Sequence, residues 1–461
     1  MSTPTFDVVQ PADGKTLRTL EGHSDAEVQD ILDACAEAAT SWRTTSFGER
    51  AAILKRAADL LEERSQDLAK LMAEEMGKPV AQGRSEAEKC AWVCRYYAEH
   101  AESQLANQDV STDAVYSGVA YRPLGLVLAV MPWNYPLWQV FRFAAPALMA
   151  GNVGVLKHAS NVPGCAKAIE SLLHDAGLPE SCFRTLLIGS DGVPPVIDHP
   201  KVRAATLTGS GPAGRAVAKA CGERLMPTVL ELGGSDPYVI LEDADIEHAA
   251  SECVASRLLN SGQSCISAKR FIAVDAVYDA FVDAVVAEME KKTLGDPMDE
   301  DTDVGPQARE DLRDDLHDQV TRSIEQGARC VLGGEIPDRP GAWYPPTVLV
   351  DVPEDAVAAT EELFGPVATI LRAKDEADAI RIANSTDFGL GAAVFTRDLE
   401  RGRRIAEDEL HSGCCFVNTF VKSDPRLPFG GIKESGYGRE LAEFGIRAFC
   451  NTKTVWVAPA S

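Results

Sequence analysis

Between residues 126 and 231 short apolar runs alternate with helix-length amphipathic stretches, and this alternation limits the possible folds more than any other feature. The run over 126–131 leads into a helix through 149, and 153–156 leads into another through 176. Further strands are expected over 185–188, 204–207 and 229–230. Parallel strands need a crossover connection, so the pattern predicts successive β-α-β units and a doubly wound sheet. The same texture recurs over 237–414, enough for a second α/β domain. Ahead of both, 47–76 carries Ala51, Leu54, Ala57, Leu60, Leu61, Leu68, Leu71 and Met72 at three- and four-residue steps. That spacing predicts a helix stopped by Gly77-Lys78-Pro79, with another over 86–105. Residues 115–131 are β-rich with a break at Tyr121-Arg122-Pro123-Leu124-Gly125, and 452–457 alternates as an edge strand would. An edge strand at a chain end needs a partner, which suggests strand addition onto another subunit.

Composition narrows the function. A chain of 461 residues allows two or three domains on the rule of roughly 150 residues each. With 70 acidic against 45 basic side chains the net charge is −25, a field that repels phosphates and argues against nucleic-acid or anionic-membrane partners. No apolar run approaches the roughly 18 residues of a membrane span, and Met1-Ser2-Thr3-Pro4-Thr5-Phe6-Asp7 lacks the pattern of a secretory leader. The 12 cysteines are scattered without a CxxC pair, which fits a reducing cytoplasm rather than a disulfide framework or zinc ribbon. The eight histidines form no ligand cluster. Asp299, Asp301, Asp303 and Glu310 mimic a calcium loop but carry Val304 where the turn requires Gly, so no metal is expected.

Two segments carry candidate chemistry. Gly209-Ser210-Gly211-Pro212-Ala213-Gly214 follows a predicted strand and opens a helix, so it is either a dinucleotide loop or a structural tight turn. Asn260-Ser261-Gly262-Gln263-Ser264-Cys265 sets one thiol in a polar turn, as a nucleophile or as a small buried filler. Three more segments accompany Glu231-Leu232-Gly233-Gly234: Pro132-Trp133-Asn134-Tyr135-Pro136, Glu361-Glu362-Leu363-Phe364-Gly365-Pro366, and Pro428-Phe429-Gly430-Gly431-Ile432-Lys433 with Ser435-Gly436. At these residues, in this order and spacing, the chain resembles the aldehyde dehydrogenase superfamily over nearly its whole length.

The resemblance implies an aldehyde dehydrogenase-like α/β fold. A Rossmann-type cofactor domain would span 1–106 and 124–231, a second α/β catalytic domain 232–445, and a small β oligomerisation arm 107–123 and 446–461. Dimers or tetramers are expected. Cys265 would be the nucleophile, the Asn134 amide would stabilise the oxyanion, and Glu231 would be the base that frees the product. That role removes Glu231 as a ribose ligand. For the cofactor, NADP or NAD, Lys157 would hold the adenosine ribose and Glu362 the nicotinamide ribose, with Phe364 against the ring. Trp133, Asn134, His158, Ala159, Gly209, Ser210 and Leu232 would complete the wall. Ser160 stands where many NAD-preferring relatives carry Glu, so NADP use is expected, with dual use the alternative.

On the substrate side Arg142, with Trp138 one helical turn away, suits a two-pronged grip on a carboxylate. Arg142, Ser423 and the segments around them resemble bacterial and archaeal succinate-semialdehyde dehydrogenases, where Ser423 would be a second carboxylate contact. A structural ion pair is the other reading of Arg142. Two departures stand out: Leu259 replaces a second arginine found in some of these enzymes, and Ser267 replaces a cysteine that forms a redox disulfide in others. Other semialdehydes, or uncharged aliphatic aldehydes, are the alternative substrates. A cysteine hydrolase is the alternative of another class, though no histidine sits in a motif that would activate Cys265.

Overall fold

The computed structural model describes residues 3–460; the first two positions of the opening segment and the last of the expected oligomerisation arm lie outside the described residues. Two large sheets carry the molecule. The first orders its strands as Gly436–Tyr437, Thr228–Glu231, Val202–Thr208, Leu126–Met131, Val153–His158 and Phe183–Thr185, parallel except at the Gly436–Tyr437 edge. Every residue of Val153–His158 is buried, because helices cover both faces; this is why the strand reads as an unbroken run without alternation. The strand order reverses between Leu126–Met131 and Val202–Thr208, which opens a crevice beyond their carboxyl ends. Trp133-Asn134 leaves one of these ends and Gly209-Ser210 the other.

The second sheet orders Arg329–Leu332, Thr347–Val350, Val367–Ala373, Ala268–Val274, Asp236–Ile240, Gly391–Phe395 and Cys414–Val417, parallel except for its first pair. Its contribution to the crevice comes from amino ends: Cys265 precedes Ala268–Val274, and Glu362 and Phe364 precede Val367–Ala373. The Trp133 and Phe364 rings meet edge-on at 5.8 Å, joining the two sheets' contributions.

A third sheet pairs Cys450–Val457 along the full length of Tyr116–Pro123, with Gln108–Asp109 on the far side. The outer edge of Cys450–Val457 is unpaired within the described residues, and Trp456 and Val457 are exposed on it. No helix among the described residues is long and apolar enough to cross a membrane.

The structure departs from sequence expectation in three places. The helix over 47–76 is two, Phe47–Glu63 and Ser65–Met76, because Arg64 leaves helical geometry at φ −102°, ψ 9°. The strand expected at 185–188 forms earlier, as Phe183–Thr185. Gly436–Tyr437, within the stretch expected in the catalytic domain, adds to the edge of the first sheet instead.

Candidate active site

Cys265 sits on a turn that an ordinary sequence would not adopt. Asn260, Ser261 and Gly262 are three consecutive left-handed residues, at φ 56°, 54° and 78°, two of them with side chains that disfavour this region. At Gly262 even a Cβ would lie 2.2 Å from the Gly365 carbonyl. The surroundings hold the turn: Asn260 Nδ2 donates to Asn134 O at 2.7 Å and to Gln263 O at 3.1 Å. Gly305 N donates to Ser261 Oγ, Gln307 Nε2 to Ser261 O, and the fully buried Arg257 to Gly262 O. Buried Lys269 then donates to Ser264 O at 2.9 Å and Cys265 O at 2.6 Å, and pairs with the Glu362 carboxylate at 3.1 Å. Burial pushes the Cys265 thiol up to about 12, opposed by the positive charges of Lys269 and Arg142.

Asn134 reaches the same turn from the first sheet, donating its Nδ2 to Gln263 O at 3.0 Å. An amide has a second N–H to offer, and the Cys265 N–H makes no hydrogen bond among the described residues. Asn134 is tied to the turn that carries Cys265, two residues before the sulfur. The helix after Asn134, Trp138–Ala150, has no cap of its own. Glu86 supplies one from the neighbouring helix Val80–Gln104, accepting from Leu137 N at 2.8 Å and Trp138 N at 2.9 Å. Its other oxygen pairs with Lys78, equally buried, whose ammonium lies 3.9 Å from the Tyr135 ring centroid. Glu86→Ala would strand the Lys78 charge and two N–H groups, so a loss of about 3–5 kcal/mol is expected. Thermal and urea unfolding measure it; a loss under about 1 kcal/mol would show the pair to be dispensable.

Glu231 ends its strand wholly buried, and neither carboxylate oxygen has a hydrogen-bond partner among the described residues. Burial raises its pKa, the buried carboxyl of Glu440 adds to the rise, and Arg142 and Arg439 oppose it. The space beside it exists because residue 430 is Gly: a Cβ there would lie 2.5 Å from Glu231 Oε1. Glu231 does not line the cavity that holds Cys265.

That cavity, of about 320 Å³, holds Cys265 with Tyr135, Trp138, Arg142, Phe429 and Ser423, and no histidine lines it. The expected substrate residues Trp138, Arg142 and Ser423 are thus gathered around the expected nucleophile. Arg142 is nonetheless in a buried ion contact with Glu440, donates from Nη2 to Thr208 Oγ1 at 3.3 Å, and stacks its guanidinium 4.8 Å from the Phe429 ring centroid. Arg142 therefore makes the structural ion pair of one sequence reading and also lines the cavity. Leu259 and Ser267 line the wall as well. Sequence reasoning missed Lys89, Lys269, Glu86 and Glu440. Glu86 and Lys89 lie on a helical stripe with Gln82 and Ser85, a pattern visible in sequence only once that face is known to line a cavity.

On the cofactor side, the helix Gly211–Glu223 begins at Ser210 with no side-chain cap, leaving its first N–H groups free, as an anion such as pyrophosphate requires. A Cβ on Gly214 would collide with Leu232 at 2.5 Å, so that glycine lets the helix sit against the Leu232 wall. Lys157 is buried and its pKa is lowered by burial, with only Asp191 opposing. Ser160 is exposed beyond half-buried Ala159. Glu362 is fixed by Lys269 and by Gly234 N at 3.1 Å, and a Cβ on Gly233 would strike its second oxygen. These residues fit a dinucleotide. The imidazole of His158 engages Pro136 O through Nε2 at 2.9 Å and accepts from Ala159 N at Nδ1, and burial lowers its pKa to about 4. Both ring nitrogens brace the loop.

Comparison with known proteins agrees with this geometry. The aldehyde dehydrogenase family model matches residues 1–455. A probable succinate-semialdehyde dehydrogenase (NADP+) of Synechocystis is 49% identical over 450 residues, covering 98% of this chain and 99% of that one. Succinate-semialdehyde dehydrogenase (NADP+) 1 of Mycobacterium tuberculosis is 49% identical over 453 residues, with the same coverage. Among solved structures, succinic semialdehyde dehydrogenase from Streptococcus pyogenes in complex with NADP+ superposes with a TM-score of 0.96 at 35% identity, over 98% of this chain and 100% of that one.

Proposed function

The chain belongs to the aldehyde dehydrogenase family, and from that premise we propose that it oxidises succinate semialdehyde to succinate with NADP+. The observation that carries the reading is the single cavity in which Cys265 stands with Arg142, Trp138 and Ser423. The relatives named above, two designated as NADP+ enzymes and one solved in complex with NADP+, support the substrate and the cofactor.

The Cys265 thiol, giving up its proton to solvent, adds as thiolate to the aldehyde carbon, and the new oxyanion is received by the Asn134 amide and the Cys265 N–H. Bound NADP+ supplies the acceptor for the hydride that leaves that carbon. Glu362, tethered by Lys269, and Lys157 would hold its two riboses, and the free amino end of Gly211–Glu223 its pyrophosphate. Ser160 presents a hydroxyl where a carboxylate would repel a 2′-phosphate. The thioester left on Cys265 is cleared by water that Glu231 deprotonates, after its side chain turns from the Glu440 side toward the sulfur. An exposed outer edge on Cys450–Val457 supports a homo-oligomer, and the many unpaired thiols support a cytoplasmic setting.

A panel of succinate semialdehyde, glutarate semialdehyde and butanal, each with NADP+ and NAD+, tests the reading by absorbance of the reduced nicotinamide. Succinate semialdehyde with NADP+ is expected to give the highest kcat/KM. A higher value for butanal would contradict the substrate assignment.

A further inference from the structure

A monoanionic substrate leaving water for a buried cavity needs a net positive charge waiting there. The cations that line the cavity do not all provide one. Lys78 is neutralised by Glu86 and Arg142 by Glu440, while Lys422 is exposed and screened by solvent. Lys89 differs. It projects from Val80–Gln104 on the stripe shared with Gln82, Ser85 and Glu86, donates to Ser423 Oγ at 2.9 Å, and stands 4.5 Å from the Trp138 ring centroid. Among the described residues its ammonium makes no ion pair.

We propose that Lys89 is the counter-charge for the distal carboxylate of the aldehyde substrate, seated by Ser423 and Trp138, and that Arg142 contributes direction rather than net charge. This rests on the reading that the cavity takes a short aldehyde acid. The position left apolar by Leu259 is thereby compensated from a different helix.

The surroundings of Lys89 agree. Burial lowers its pKa to about 8, and Arg142 on Trp138–Ala150 lowers it further. Glu86 and Cys90 on its own helix and Asp424 on the loop beside Ser423 pull the other way. A group with a lowered pKa is charged below that value and neutral above it. Preference for the charged aldehyde should therefore fall as pH rises past about 8, and a carboxylate bound beside the ammonium would restore its proton.

The test compares kcat/KM for succinate semialdehyde with that for its uncharged analogue butanal, using NADP+, in the parent, Lys89→Met, Lys89→Gln and Lys89→Arg, at pH values on both sides of that transition. Taking the ratio cancels the titration of Cys265, which both aldehydes share. The ratio is expected to fall roughly thirty-fold in the Met and Gln variants. In Lys89→Arg it should largely survive and lose its decline at high pH, because a guanidinium stays charged. A ratio within about two-fold of the parent in both neutral variants would overturn the assignment, as would an unchanged pH decline in Lys89→Met. A parent that shows no preference for succinate semialdehyde would instead sink the functional reading itself, so the two failures are distinguishable.

Discussion

Cys265→Ala protein is expected to oxidise no aldehyde above background, a loss of roughly 10⁵-fold or more in kcat, with its fold intact. An aldehyde hydrogen cannot leave as hydride while its carbon is trigonal, so without a nucleophile the two N–H donors of Asn134 and Cys265 have no oxyanion to receive. The substitution removes one sulfur from a cavity wall and touches none of the hydrogen bonds to Ser264 O and Cys265 O that hold the turn. Loss of activity with unchanged thermal unfolding therefore reports chemistry and not collapse. Retention of more than roughly a hundredth of the parental rate would place the reaction elsewhere. The same variant addresses the cysteine-hydrolase alternative. Acid release from an ester, dependent on Cys265 and needing no nicotinamide, with no oxidation of any aldehyde by the parent, would favour that class.

Glu231→Gln should separate the two halves of the reaction. The first half, up to reduced nicotinamide, does not use Glu231, so a burst of one equivalent is expected at close to the parental rate. Steady-state turnover should fall about 10²–10⁴-fold, the usual contribution of a positioned general base. The carboxylate's position explains a second expectation. Glu231 lies buried beside Glu440, its pKa raised, and only its ionised form can take a proton from water. Thioester clearance in the parent should thus increase with pH above the ordinary carboxylate range, and this dependence should vanish in the Gln variant. A variant that slows the burst as much as the steady state would assign Glu231 to an earlier step.

The parts of this site that sequence reveals are those written in contiguous residues. The turn Asn260-Ser261-Gly262-Gln263-Ser264-Cys265, the Asn134 segment and the Glu362-Leu363-Phe364 segment each carry their own signature. The parallel sheets are legible because fully buried strands have no polar alternation. What stays hidden is assembled from distant segments. Lys89 and Ser423 are 334 positions apart, and Glu86 caps a helix 51 residues further on. No local pattern marks a helix face as cavity wall until the opposing loop is in place. The bracing bonds of the His158 imidazole to Pro136 O and Ala159 N are hidden in the same way, since no local pattern reveals them. Arg64 interrupts an apolar periodicity that continues on both sides, so the break follows from packing and not from composition.

The most direct test of the mechanism is intact-mass and peptide analysis of Glu231→Gln protein, acid-quenched after mixing with succinate semialdehyde and NADP+. The account predicts a succinyl group in thioester linkage on the peptide containing Cys265, accumulating toward one per chain and lost on treatment with hydroxylamine. Unmodified Cys265 under conditions where reduced nicotinamide has formed, or an acyl group on any other residue, would contradict it.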